Sequence, residues 1–305
     1  MSKPLIECVP NFSEGRDRDV IEAIIDPFKN KKGCHLLEYR ADRDHNRLVI
    51  SLVGQPRPIQ DALVQASQVA IDRIDMERHR GGHPRIGAID VIPFVPLQNI
   101  DMDACVKLAH EFGHRFHEQT GIPVYFYEEA ALRPDRRQLE VIRKGQYETL
   151  KAEISNPARH PDIGAPKLHL SAGATAIGAR KFLIAFNVNL GTADIHIAKE
   201  IARAVRSSSG GLCHVKGIAL ALEDRGLTQV SMNIVDYEKN TLYRVLELIR
   251  IEAKRWGVSL VETEVYGMIP AAALLHSAAY YLQIADFDPK QVIELAILEK
   301  IGQDK

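Results

Sequence analysis

The chain has 305 residues and a formal net charge of −1, and 46% of its residues are apolar while 26% are charged. This balance is ordinary for a soluble globular protein. It argues against a nucleic-acid or other polyanionic partner, because lysine and arginine form no dense cluster. A small anionic substrate held by a few arginines remains compatible with it.

The cysteine pattern and the N-terminal segment predict a cytoplasmic protein. Residues 1–4 run directly into a short strand-like segment and contain no apolar signal region. No apolar run approaches the ~20 residues that a membrane helix needs, so we expect no membrane partner. The cysteines are far apart and form no CxxC pair, which is typical of a reducing compartment; they are Cys8, Cys34, Cys105 and Cys213.

Apolar periodicity in the first half predicts the order strand, helix, strand, strand, helix, strand. The first helix has Asp17 as its cap, and Pro27 is expected to end it early. A further amphipathic helix from about Met102 and a strand near residues 124–127 follow. The remaining predicted elements are strands over 4–9, 34–39, 47–53 and 88–95 and a helix over 59–70.

The second half repeats this order, with strands over 181–190, 217–222, 229–235 and 258–265 and helices over 195–205 and from 242. A last helix is expected to start near Pro270, a favourable first helical position. Each half therefore spells βαββαβ, the ferredoxin-like unit. We predict an α+β fold of two such subdomains, 1–178 and 179–305, each an antiparallel sheet with helices on one face and a ligand cleft between them.

Residues 151–178 show no helical or strand period and hold several prolines and glycines. A structureless connection of this length is usually functional or a linker. We therefore expect this connector to bridge the halves beside a small-molecule site.

His83 is the most informative single residue, because it lies on a small-residue loop between Gly81-Gly82 and Pro84, just before a predicted buried strand. An imidazole presented in this way can serve as a general acid or base near neutral pH. On residue type alone, a loop histidine with a structural hydrogen bond is the more common outcome.

The segment Arg78–Asp90 resembles the active-site segment of the formiminotransferase family, the folate enzymes of histidine breakdown. The same likeness is carried, in the same order along the chain, by Glu7–Gly15, Asp44–Arg47, Gly178–Arg180 and Ala185–Leu190. The resemblance implies transfer of a formimino group from N-formimino-L-glutamate to N5 of tetrahydrofolate, the co-substrate, without a metal. It also implies a homodimer. In animals the family's domain is fused to a cyclodeaminase, and we expect the stand-alone bacterial type here.

The resemblance implies site residues as well. His83 aligns with the catalytic histidine, and Arg47, Arg85 and Arg180 are candidates to bind substrate carboxylates, which arginine can hold bidentately. On its residues alone the aligned folate-binding segment would be a plain linker. That segment consists of Gly164, Ala165, Pro166, Lys167, Leu168, His169, Leu170, Ser171, Ala172 and Gly173.

Two further features leave alternatives open. Many relatives carry Glu where this chain has Gly82, so the donor could instead be formylglutamate or formiminoglycine, or the protein could bind folate with little turnover. Asn187 and Asn189, at the end of a predicted strand, are expected either to bind substrate or to tie down the following turn.

The run His110-Glu111-Phe112-Gly113-His114 matches the HExxH pattern of zinc peptidases. We reject a metal site there, because a catalytic zinc pair should face a cavity and needs a third ligand. Both histidines are expected to point to solvent, opposite the apolar stripe of their helix.

Overall fold

A computed structural model describes residues 3–303. The chain divides into two compact units, and the boundary in the sequence lies between Lys181 and Phe182. The first unit begins with β1 (Leu5–Cys8), β2 (Asn11–Phe12), α1 (Arg18–Ile25), β3 (Cys34–Asp42), β4 (Arg47–Gly54) and α2 (Pro56–Arg73). It continues with β5 (Ile89–Gln98), α3 (Met102–Thr120), β6 (Val124–Glu128), α4 (Leu139–Ile142), α5 (Gln146–Glu153) and β7 (Thr175–Ala179).

The ends of the helices follow local chemistry. The carboxylate of Asp17 accepts hydrogen bonds from the backbone N–H groups of Asp19 and Val20 and so caps α1. Pro27 lies in a 3-10 turn directly after α1, which confirms that this helix ends early. At the C-terminal end of α3, Gly121 adopts φ 71°, a left-handed conformation that glycine takes at little cost.

The first sheet is built around the predicted ferredoxin-like core. Strand β1 pairs antiparallel with β4 and β5, and β3 pairs antiparallel with β4. The spatial order β5–β1–β4–β3 is the one that two split βαβ crossovers produce. Strand β2 continues the line of β1 and pairs with the same two neighbours. The α+β class is therefore confirmed.

The expectation of a wholly antiparallel sheet with helices on one face needs correction in this unit. Strand β7 pairs in parallel with both β5 and β6, so the sheet is mixed. Ile142 of α4 and Leu150 of α5 pack with Val91 on one face. Phe112 of α3 packs against Phe94 on the other face. Helices therefore cover both faces of this part of the sheet.

The connector is also more ordered than predicted, because it carries the end of α5 and all but the last residue of β7. Every residue of β7 is buried. A strand that is buried on both faces has no apolar–polar alternation. The alanines and the glycine of β7 also have low β-propensity, so the sequence pattern did not predict this strand. Gly178, the predicted end of the first domain, lies inside this strand.

The second unit matches its prediction closely. Its elements are β8 (Ile184–Leu190), α6 (Ile195–Val205), β9 (Val215–Leu222), β10 (Leu227–Ile234), α7 (Leu242–Arg255), β11 (Leu260–Tyr266), α8 (Ala271–Tyr281) and α9 (Ile293–Gln303). The sheet order is β11–β8–β10–β9, and every pairing is antiparallel. This is the same topology as the core of the first sheet.

Alternation along β4 decides where the functional residues of the first unit lie. Leu48, Ile50 and Leu52 are fully buried in the core under α1 and α2. Because side chains along a strand alternate between faces, Arg47 and Val49 point to the opposite face. Val49 and Val91 both pair with Asn11, and residues paired across neighbouring strands point to the same face of the sheet. Val91 packs against α4 and α5, so Arg47 lies on the face that these two helices partly cover.

Candidate active site

The loop that carries His83 is fixed to the turn between β3 and β4. Asn46, at φ 50°, accepts a hydrogen bond from the Gly15 N–H (2.9 Å) and donates to the Arg80 carbonyl (3.0 Å). A Cβ on Gly81 would lie 2.3 Å from the carbonyl oxygen of His45, so only glycine allows this close approach. Three segments that are distant in sequence are thereby held together.

His83 accepts a hydrogen bond at Nε2 from Arg47 Nη1, with 2.7 Å between the two nitrogens. A guanidinium has only donors, so the ring proton is inferred to reside on Nδ1. Burial of the imidazole and then the positive charge of Arg47 lower the pKa of His83 to about 2. The ring is neutral at physiological pH, with its acceptor nitrogen already occupied.

A second arginine, Arg143, lies close to this pair. It follows α4, and its guanidinium forms an ion pair with Asp90, whose side chain is 3% exposed. The other carboxylate oxygen of Asp90 accepts from the Ile86 N–H at 2.8 Å. Arg143 also lowers the pKa of His83, after burial and Arg47. The sequence prediction did not include Arg143, and nothing in the pattern around it distinguishes it from a surface arginine.

Arg85 is placed differently from its predicted role. Its side chain is 6% exposed, and all five of its N–H groups donate to protein acceptors. Two of these bonds form a fork to Glu148 of α5, at 2.7 and 2.9 Å, and one goes to Gln146 at 2.8 Å. The other two reach Nδ1 and the carbonyl of His79. In this arrangement Arg85 has no donor left for a substrate.

Arg180 follows β7 and is not joined to His83 by any contact within residues 3–303. Its charge acts on Glu7 and on Tyr127. The Glu7 carboxyl has its pKa raised by burial, against the opposing effect of Arg180. Of the three predicted substrate arginines, the structure therefore brings Arg47 alone to the histidine.

The predicted folate segment lies partly beside the His83 loop and partly away from it. Its end is close, because the Ala172 carbonyl accepts from the Ala88 N–H and, just beyond the segment, the Ala174 N–H donates to the Ile86 carbonyl. Residues 164–167 are exposed, and Gly164 lies against the ring of His117 on α3. The backbones of His169 and Gly173 exchange two hydrogen bonds and form a tight turn that contains Leu170, which is 82% exposed.

The HExxH run lies on α3, and one part of its prediction is wrong. His114 is exposed, but His110 is half-buried and donates from Nε2 to the Ala130 carbonyl at 2.7 Å. The ring of His110 also packs against Phe126. Across residues 3–303, no group of three or more His, Cys, Asp or Glu side chains is arranged to hold a metal ion.

Asn189 takes part in a cross-strand network in the second unit. Its side-chain amide donates to Glu262 and Glu264 of β11, and its oxygen accepts from Gln229 of β10 at 2.8 Å. Asn187 accepts from the Met232 N–H on β10. Both asparagines therefore bind neighbouring strands, which neither of the two predicted alternatives described.

Comparison with known proteins assigns the whole chain to one family. The family model for "Formiminotransferase domain, N-terminal subdomain" matches residues 5–180, and the one for "Formiminotransferase domain" matches residues 185–305.

The helices of residues 3–303 include none that is both long and apolar enough to cross a membrane.

Individual relatives agree with this assignment. A glutamate formimidoyltransferase from Streptococcus pyogenes serotype M1 is 46% identical over 96% of this chain and 99% of its own length. One from Thermoplasma acidophilum is 49% identical over 95% of this chain and 96% of its own. The formimidoyltransferase-cyclodeaminase of Gallus gallus is 41% identical over 92% of this chain, which covers 52% of that longer protein. The chain therefore belongs to the formiminotransferase family.

Proposed function

We propose that this chain transfers the formimino group of N-formimino-L-glutamate to N5 of tetrahydrofolate, giving L-glutamate and 5-formiminotetrahydrofolate in histidine breakdown. The observation that carries the proposal is the identity of 46% and 49% to two relatives named glutamate formimidoyltransferase, over nearly the full length of both chains. The proposal makes the chain a transferase of one-carbon groups, with tetrahydrofolate as co-substrate.

The chemistry requires one proton to move between two nitrogens. N5 of tetrahydrofolate attacks the formimino carbon to give a tetrahedral adduct, and the carbon–nitrogen bond to glutamate then breaks. Nε2 of His83 is proposed to accept the proton that N5 of tetrahydrofolate loses and to donate it to the departing glutamate nitrogen, so that no net proton is consumed. General acid–base help of this kind is worth ~10²–10⁴-fold in rate.

Arg47 is the proposed ligand for a carboxylate of the donor, because it is the predicted arginine that contacts His83. Tetrahydrofolate is proposed to contact the segment Gly164–Gly173. Two features support this: Lys167 is exposed and can meet a carboxylate of the folate tail, and Leu170 offers apolar surface to a ring. A cytoplasmic homodimer remains part of the proposal by family resemblance.

The alternative donors, formylglutamate and formiminoglycine, rest on Gly82. A Cβ at this position would meet nothing closer than the Asp44 carbonyl oxygen at 3.7 Å, so the site has room for the glutamate that many relatives carry. The missing charge lies one residue from His83, where it would act on the donor and on the imidazole.

Steady-state turnover of purified protein with tetrahydrofolate and each of the three donors tests the proposal. We expect N-formimino-L-glutamate to give the highest kcat/KM. His83→Ala should lower kcat by ~10²–10⁴-fold with little change in folate affinity, since the imidazole acts in the transition state. His114→Ala, on the exposed face of α3, is the matched control. Tight tetrahydrofolate binding without transfer from any donor would instead indicate a folate-binding protein.

A further inference from the structure

Two arginines, Arg47 and Arg143, act on His83, and within residues 3–303 an ion pair holds one of them, Arg143. Arg47 and Arg143 act on each other, since burial and then the charge of Arg143 lower the pKa of Arg47. Among residues 3–303, the carboxylate that forms an ion pair with either of them is Asp90, which binds Arg143. Asp42 lies opposite Arg47 in the pairing of β3 with β4, and its charge acts on Arg47, but its carboxylate is bound to His45 at 2.7 Å.

Both guanidiniums also keep a buried donor unused. The Nε atoms of Arg47 and Arg143 are shielded from solvent and have no hydrogen-bond partner. A buried N–H without an acceptor costs roughly 1–3 kcal/mol, and more when the group is charged. Two such donors, on arginines close enough to affect each other's charge and with no ion pair to Arg47 among residues 3–303, describe a site that an anion would complete.

The two arginines differ in how firmly they are held. The side chain of Arg143 is 14% exposed and is anchored by its ion pair to Asp90. Arg47 is half-buried, and within residues 3–303 the hydrogen bond of its side chain is the one to His83. An arriving anion would therefore move Arg47, because Arg143 has a stronger partner to lose.

We propose that a carboxylate of the one-carbon donor binds between Arg47 and Arg143 and draws the Arg47 guanidinium away from Nε2 of His83. The freed nitrogen can then accept the proton from N5 of tetrahydrofolate. The imidazole is thus withheld as a base until the donor is bound. This inference rests on the proposed function and deepens it, by adding Arg143 to the donor site and by coupling donor binding to the state of His83.

The electrostatics agree with this coupling. Arg47, Arg143 and His45 all disfavour the protonated imidazole, and a hydrogen bond to the backbone of Pro84 acts in the opposite direction. An anion placed between the two arginines would offset their charge, and withdrawal of Arg47 would remove the nearest repulsion. Both changes raise the pKa of His83.

Nuclear magnetic resonance of the ¹⁵N-histidine-labelled enzyme tests the proposal, with L-glutamate, the expected product, as the probe. In the wild type, saturating L-glutamate should shift the Nε2 resonance of His83 and raise its pKa by about 1–3. In Arg47→Met the pKa should already be raised without a ligand, and L-glutamate should change it no further. Arg143→Met should weaken L-glutamate binding tenfold or more.

Arg143→Lys serves if Arg143→Met does not fold, because lysine keeps a cation beside Asp90 but loses the two-pronged geometry. Arg137→Met, which removes an exposed arginine paired with Glu129, is the control and should bind L-glutamate like the wild type. Unchanged affinity in both Arg143 variants, or binding that leaves the Nε2 resonance of His83 in place, overturns the inference. If formimino transfer occurs all the same, the proposed function survives that result, whereas a shifted resonance without transfer retains the site and rejects the function.

Discussion

Replacement of Arg85 by methionine should destabilise the first unit rather than weaken substrate binding. The change removes five hydrogen bonds from a side chain that is 6% exposed. At a net ~1 kcal/mol for each bond the loss approaches 5 kcal/mol. Glu148 is 54% exposed and regains water, which recovers about half of it. We therefore expect a loss of about 2–3 kcal/mol.

A loss of this size corresponds to a decrease in Tm of about 4–12 °C for a unit of this length. Urea unfolding followed by near-ultraviolet circular dichroism would measure it, with Arg137→Met as a control that stays within about 0.5 kcal/mol of the wild type. Steady-state kinetics on the folded variant should give a nearly unchanged KM for the donor. A normal Tm with a KM raised tenfold or more would refute this reasoning and restore the role that the sequence alone predicted for Arg85.

The remaining predictions concern pH, loop geometry and folate. In the unfolded chain His83 binds a proton below about pH 6.5, whereas in the folded protein it stays neutral down to about 2. Its contribution to stability is therefore present above pH 6.5 and is lost as the pH falls. Between pH 6.5 and 5 the urea midpoint of His83→Gln should fall less steeply than that of the wild type. Gly81→Ala puts a Cβ 2.3 Å from the carbonyl oxygen of His45 and should lower both Tm and kcat. Gly82→Ala makes only ordinary contacts and should leave Tm unchanged. Equal effects of the two changes would show that the contact of Gly81 with His45 does not position the His83 loop. Leu170→Ser should raise the Kd for tetrahydrofolate several-fold in calorimetry with no loss of Tm, since Leu170 is 82% exposed. Leu282→Ser in the second unit should change neither the Kd nor the Tm. An unaltered Kd in Leu170→Ser would remove the segment from the folate site.

Local patterns predicted most of the scaffold. The four strands and two helices of the ferredoxin-like core in each unit were all anticipated to within a few residues, because apolar periodicity, capping residues and turn glycines act over short distances. Strand β7 escaped, since a short run of small residues buried on both faces carries no period. Its parallel pairing with β5 and β6 depends on two long crossovers that no local signal specifies.

The sequence by itself determined the family, the fold class and the histidine loop, because each is encoded in contiguous residues whose order and spacing are visible. Tertiary structure alone decided which arginines face His83. Arg85 meets Glu148 across 63 positions, and Arg143 meets Asp90 across 53. An arginine's donors go to whichever acceptors folding brings near, and that choice leaves Arg85 fully bonded and the buried Nε of Arg47 without a partner. The physical reason is that charge pairing is settled by distance in space, which sequence spacing does not measure.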